Sequence, residues 1–188
     1  MNLSSFETKR VLAIDPTTKG FGFAVLEGPD GLIDWGVRHA SGNRNHRNRR
    51  CREEAAALIA QYQPEVLVVE CTSAKGCRRR RRVRRLIKGL LILARQQRLR
   101  ARRISRRSVL RSFGQSSAAN KYRVAVTLTE RFPELAPHLP PERKLGDSED
   151  ERMAIFDALS FDWTFYQTMR REARALSLLR EPAPFPNA

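Results

Sequence analysis

The chain is predicted to fold as an α/β protein built on a mixed five-stranded sheet flanked by helices, and three observations carry that expectation. Near the start, short apolar strands are joined by strong turn signals, the pattern of an antiparallel meander. Further on, Glu65-Val66-Leu67-Val68-Val69-Glu70 is apolar without alternation, as in a strand covered on both faces of a partly parallel sheet. Around that strand, apolar residues recur at helical spacing, so strands and helices alternate through the second half.

In chain order, Lys9–Asp15 is the first strand and Gly20–Glu27 the second. Gly28-Pro29-Asp30-Gly31 is a turn, because glycine tolerates positive φ and proline presets the first turn position. Leu32–Ala40 completes the meander, and the polar, Asn- and Arg-rich stretch Ser41–Arg50 reads as a mobile loop. Cys51–Gln63 is an amphipathic helix through Ala55, Leu58, Ile59 and Tyr62, ended by Pro64. Glu65–Glu70 is the fourth strand.

Arg78–Gln97 forms a helix whose stripe of Val83, Leu86, Ile87, Leu90, Leu91 and Ala94 suits either a core or a dimer interface. Arg100–Ser105 is the fifth strand and Arg106–Phe113 a short helix. Ser116 or Ser117 caps a helix to Phe132, stopped by Pro133. After the proline-rich Pro133–Gly146, Ser148 and Glu151 form a capping box that opens the last long helix through Met153, Phe156, Leu159 and Trp163.

Size and composition narrow the class. A chain of 188 residues suits one domain, expected over 9–180, with a flexible leader at 1–8 and a flexible tail at 181–188. With 41% hydrophobic and 30% charged residues it reads as globular, not as an intrinsically disordered chain. No apolar run approaches the roughly 20 residues of a membrane span, and Met1–Lys9 lacks the apolar stretch of a secretory signal. Cys51, Cys71 and Cys77 are odd in number and lack CxxC spacing, which argues against a disulfide framework or zinc site and for a cytoplasmic setting. His39, His46 and His138 show no spacing to a cysteine that suggests nucleophilic catalysis, and Cys71 reads as a small buried residue. The 36 Lys and Arg against 20 Asp and Glu give a net charge of +16, which predicts a polyanionic partner, nucleic acid before a membrane surface.

Against that excess, the placement of the acids is the informative feature. Asp15 ends the first strand, Glu70 ends the fourth, and Asp147, Glu149 and Asp150 open the last helix with Asp157 further along. Ligands of open α/β sheets gather at strand ends and helix starts. Carboxylates beside buried strands are costly unless paired or bound to metal, and on a basic surface they repel the expected partner. A divalent cation between them and a phosphate resolves both conflicts. Taken singly, Asp15 has a plainer account as a turn cap, Glu70 as an ion-pair partner and the late acids as complements to a helix dipole. Taken together, in this order, they favour a site for two Mg²⁺ ions roughly 3.5–4 Å apart of the kind that hydrolyses phosphodiesters.

These segments resemble the RuvC-like nucleases of the ribonuclease H fold, over about Val11 to Trp163. The likeness rests on Val11-Leu12-Ala13-Ile14-Asp15-Pro16 with Gly20-Phe21-Gly22-Phe23-Ala24-Val25, on Gln63 to Glu70, and on Ser117-Ala118-Ala119-Asn120-Lys121. The resemblance implies a metal-dependent endonuclease acting on branched DNA such as a Holliday junction. It implies that Asp15, Glu70 and late acids hold Mg²⁺ or Mn²⁺, and that Lys121 assists at the scissile phosphate. It also implies a symmetric dimer, since two strands of a junction are cut. The late motif departs from the pattern: Asp147-Ser148-Glu149-Asp150 supplies the spacing of the family's acidic pair in the right place, yet Asp157-Ala158-Leu159 looks more like the residues that follow the pair, which leaves Ala154 where its first acid belongs. Asp150 is the favoured third ligand here, Asp157 the second choice and Asp147 the third; Asp150 and Asp157 lie seven residues apart, about 10 Å along one helix face.

Arg78, Arg79, Arg80, Arg81, Arg82, Arg84 and Arg85 nearly fill eight positions beside the Glu70 strand end and read as a ridge contacting phosphates. Arg44, Arg47, Arg49 and Arg50, and Arg102, Arg103, Arg106, Arg107 and Arg111, extend the basic surface. Few aromatics are interleaved, so backbone and shape recognition is expected ahead of base stacking; Phe21 and Phe23 read as core. Three other functions stay open: an RNA-processing nuclease like the YqgF relatives, a non-catalytic DNA-binding protein on the same fold, and, from Asp15-Pro-Thr-Thr-Lys-Gly, the phosphate loop of sugar kinases and actin-like ATPases. The last needs two lobes, for which this chain has no room.

Overall fold

The computed structural model describes residues 8–73, 79–114, 121–144, 146 and 148–178. Strands β1 (Arg10–Pro16), β2 (Gly20–Glu27) and β3 (Gly31–His39) are followed by helix α1 (Arg44–Tyr62), β4 (Val66–Glu70), α2 (Arg81–Gln96) and β5 (Arg100–Ile104). Then come α3 (Arg106–Ser112), α4 (Lys121–Arg131), a 3₁₀ turn at Pro133–His138 and the long α5 (Met153–Leu178). The sheet order is β3-β2-β1-β4-β5, with β1–β2–β3 antiparallel and β4 and β5 added parallel to β1. This is the mixed five-stranded sheet that the sequence predicts.

Strand alternation explains the two-sided core. Val11 and Ala13 of β1 and Val66 and Val68 of β4 pack against α3, α4 and α5, while Leu12, Ile14, Leu67 and Val69 pack against α1 and α2. The β1–β4 register runs from Val11 opposite Val66 to Ile14 opposite Val69, so the next residue on each strand is an acid, Asp15 beside Glu70. By the same alternation both acids fall on the α5 face. Truncating a fully buried leucine such as Leu86 is expected to cost about 2–5 kcal/mol.

The start of α5 is seated by a glycine. A Cβ on Gly22 would lie 2.2 Å from the Ala154 carbonyl oxygen, so only glycine lets the helix come down on β2 at this point. Gly22 pairs with Asp15 across the β1–β2 ladder, so the close approach brings α5 over the acid. Further along, the buried Tyr166 hydroxyl donates to the Lys9 carbonyl at 2.6 Å, tying the middle of α5 to the entry of β1.

Several local expectations change. The stretch from Arg44 to Arg50 is helical, not a loop: the Asn43 side chain accepts from the His46 N–H at 3.0 Å, and Arg47 donates to the Thr18 and Gly42 carbonyls at 3.1 and 3.0 Å. These polar contacts start α1 where no apolar residue marks the first turn. The α2 stripe of Val83, Leu86, Ile87, Leu90 and Ala94 is spent on the core, which removes it as a dimer surface. The last helix begins at Met153, later than the capping box suggests, because Glu151 reaches Lys19 at 2.5 Å and His39 at 3.4 Å rather than the backbone at Ser148. Cys71 is half-buried beside Ser73, not fully buried. Among the described residues no helix is long and apolar enough to cross a membrane. Ser116 and Ser117, Cys77, most of the leader and the tail lie outside the described residues.

Candidate active site

Three elements bring three carboxylates near one another, and two of them, Asp15 and Asp157, line one cleft. Asp15 ends β1 and is 2% exposed, Glu70 ends β4, and Asp157 lies one turn into α5 at 5% exposure. The cleft has a volume of about 530 Å³, and its lining includes Asp15, Thr17, Arg79, Arg80, Asp150 and Asp157. The strand ends fix Asp15 and Glu70 through the β-ladder, and Gly22 fixes the height at which α5 presents Asp157.

Each carboxylate is met by a cation of the protein itself. The Arg79 guanidinium bridges the first two acids, donating from Nη2 to Asp15 Oδ1 and from Nε to Glu70 Oε2; its Nη1 reaches the Pro16 carbonyl at 3.1 Å. The Lys121 ammonium donates to Asp157 Oδ2 and sits 2.7 Å from Glu149 Oε1. Arg106 approaches the other Asp157 oxygen at 3.3 Å. Arg82, at the start of α2, donates to the Thr17 carbonyl and to Asn48 Oδ1 at 2.8 Å, tying α2 to the loop after β1 and to α1.

The charges perturb one another as burial and proximity require. Burial pushes the Asp15 carboxyl up to about 7, with the Asp157 and Glu70 charges adding to the rise and the Arg79 and Lys121 cations opposing it. Burial alone weakens the charged forms of Arg79 and Lys121, but the surrounding carboxylates outweigh it and hold both above their ordinary range.

Of the residues singled out in the sequence, Asp15, Glu70, Asp157 and Lys121 come together. Asp150 also lines the cleft, but from the turn before α5, with its carboxylate on Arg152 at 2.7 Å. The Arg152 hydrogen bond holds Asp150 below the usual carboxylate range. It is Asp157, not Asp150, whose charge reaches Asp15. Asp157 thus lies on α5 itself, whereas Asp150 belongs to the turn before it.

Arg80, Arg81, Arg84 and Arg85 are exposed, as are Arg102, Arg103, Arg107 and Arg111; Arg82 is half-buried in the Thr17–Asn48 contact. Arg78 and Asp147 lie outside the described residues. Two roles are invisible in the sequence. Arg79 stands in a run of identical residues, and Arg106 reads as one more surface arginine; only the fold turns them inward.

The fit of a metal can be tested on the donors. Among the described residues no three acidic, histidine or cysteine side chains close on a single point. The donor chemistry still suits Mg²⁺ or Mn²⁺: the acids are hard oxygen donors, and the Asp15–Glu70 pair already grips one cationic group between them.

The sheet order, the α5 crossing and the carboxylate-bearing strand ends define a ribonuclease H-like α/β fold. Within that class the chain is similar to the Thermus thermophilus RuvC structure, at 19% identity and TM-score 0.63, over 85% of this chain and 96% of that one. It is similar also to T. thermophilus RuvC in complex with a Holliday junction substrate, at 18% identity and TM-score 0.62, over 86% and 96%. The yeast mitochondrial Holliday junction resolvase Ydc2 matches at 14% identity and TM-score 0.60, over 94% of this chain and 87% of that one. No protein-family model and no curated protein sequence matches the chain.

Proposed function

We infer that the chain is a divalent-metal-dependent endonuclease that hydrolyses phosphodiesters in branched DNA, four-way junctions foremost. The observation that carries this reading is Asp15 of β1 and Asp157 of α5 lining one cleft, with Glu70 of β4 joined to Asp15 through Arg79, in a fold shared with junction resolvases. Asp15, Glu70 and Asp157 would hold Mg²⁺ or Mn²⁺, with Asp150 as a rim acid. Bound there, the metal supplies a water activated near neutral pH and offsets charge that builds on the phosphate.

The chain's own groups do the rest. Lys121, held over Asp157, offers its ammonium to a phosphate oxygen of the strand to be cut. Arg80 just before α2 and Arg81, Arg84 and Arg85 on its exposed side, with Arg111 of α3, contact the phosphates of the duplex arms, so recognition follows shape and charge ahead of base sequence. The test is cleavage of a labelled four-way junction against linear duplex and an RNA hairpin, across metals. Cutting confined to the junction and dependent on Mg²⁺ or Mn²⁺ supports the reading; junction binding with no turnover in any divalent ion overturns it.

A second reading has its own support. Among the described residues every acid lining the cleft carries a protein cation, and alanine stands at position 154, where the resemblance places an acid. Both features suit a junction-binding protein that has lost catalysis. Turnover alone separates the two, because tight, salt-sensitive binding is common to both.

A further inference from the structure

We propose that Arg79 is a built-in counter-ion occupying the metal position of the Asp15–Glu70 pair, so that a divalent ion enters the cleft only by displacing it. This rests on the nuclease reading of the cleft and adds a control step to it.

The geometry is specific. Arg79 uses three separate nitrogens on three acceptors: Nη2 on Asp15, Nε on Glu70 and Nη1 on the Pro16 carbonyl at 3.1 Å. A guanidinium is a planar fork that matches carboxylates from two directions at once. Two acids on adjacent strand ends are held together by it, and the site of their closest approach is the place a shared divalent ion would take. Arg79 precedes α2, outside the helix, so it can turn away without unwinding a regular element. Its neighbour Arg80 lines the same cleft yet is exposed.

A consequence follows for how metal and DNA act together. An arginine released from two carboxylates into a cleft needs a new anion, and a phosphate can accept two of its N–H groups at once. Metal entry and phosphate binding thereby support each other, the reciprocal coupling expected of linked sites. Without DNA the protein neutralises its own acids and takes up metal weakly.

The test measures Mn²⁺ binding to the full chain without DNA, by electron paramagnetic resonance of the free ion, for wild type, Arg79→Ala, Arg79→Gln and Arg80→Ala. Displacement predicts that both Arg79 variants bind Mn²⁺ at least tenfold more tightly than wild type, and that Arg80→Ala changes affinity less than threefold. Equal or weaker binding by the Arg79 variants overturns the proposal. So does an equal gain from Arg80→Ala, which would mean a general field effect and not occupancy. Should Arg79→Ala fold poorly by circular dichroism, Arg79→Gln, which keeps a donor for one carboxylate, decides the matter. Failure of the nuclease reading is seen separately: wild type then cuts no junction in any metal, whatever the Mn²⁺ affinities. If neither wild type nor the variants bind Mn²⁺, the proposal and the metal site fall together.

Discussion

Two aspartates on α5, five residues apart, are both buried and live in opposite surroundings. Asp157 meets the Lys121 ammonium and Arg106, and its charge reaches Asp15 across the cleft. Asp162 is fully buried, and neither of its oxygens makes a hydrogen bond of good geometry; the polar group beside them is the Ala13 backbone. Burial holds Asp162 well above the ordinary carboxylate range. The contrast teaches that burial alone does not make a functional acid. Cations supplied from α3 and α4 pair with Asp157 at the cleft, whereas Asp162 fills space under β1.

The largest effect that would break this contrast is catalytic. Asp157→Asn and Asp15→Asn are expected to reduce Mg²⁺-dependent junction cleavage to background, while Asp162→Asn leaves it within about twofold; single-turnover cleavage of a labelled junction measures all three. Equal losses at 157 and 162 would erase the distinction.

Next in size is stability. Asp157→Ala leaves Lys121 and Arg106 facing each other without their shared carboxylate. Removing one partner of a fully buried pair costs about 3–5 kcal/mol. Here the two cations are about a third exposed, which reduces the expected loss to about 1–2 kcal/mol. Asp162→Asn removes an ionisable group that gains nothing from charge, so its urea midpoint at pH 8 is expected to equal or exceed that of wild type.

A sharper version uses pH. The folded-state pKa of Asp162 is raised, so between its unfolded value of 3.8 and that raised value the native state holds a proton the unfolded chain releases. Its contribution to stability is fully present at low pH and is lost as pH climbs through that window. Wild type minus Asp162→Asn should therefore show a stability difference that falls with rising pH above about 4, read from urea melts at several pH values. A flat difference would mean the carboxyl is not shielded as described.

The smallest effect concerns the exposed arginines. Each phosphate left without its arginine lowers the log–log salt slope of junction binding by about 0.9. Arg81→Ala and Arg85→Ala should each reduce it by no more than that, and Arg82→Ala, whose guanidinium is engaged by Thr17 and Asn48, should reduce it less.

How much of this is legible in the sequence depends on whether the cause is local. The strands and the nearness of Asp15 to Glu70 follow from apolar runs ending in acids and from the period of two along β1 and β4, and both can be read directly. The start of α1 cannot, because Asn43 and Arg47 stabilise it through polar contacts, one of them to the distant Thr18. The start of α5 misleads because Ser148 and Glu151 have capping-box spacing, while contacts with Lys19 and His39 claim the Glu151 side chain. The preference for Asp150 over Asp157 rests on the same early helix start. Arg79 is hidden among identical neighbours, since nothing in a run of arginines marks the one that the fold turns inward.

The most direct measurement of the central claim is anomalous scattering from a crystal soaked in Mn²⁺. The account predicts a peak held by carboxylate oxygens of both Asp15 and Glu70, with Asp157 on the same cleft and the Arg79 guanidinium turned aside. A saturating soak that leaves Arg79 bridging the two acids, with no ion between them, would contradict it.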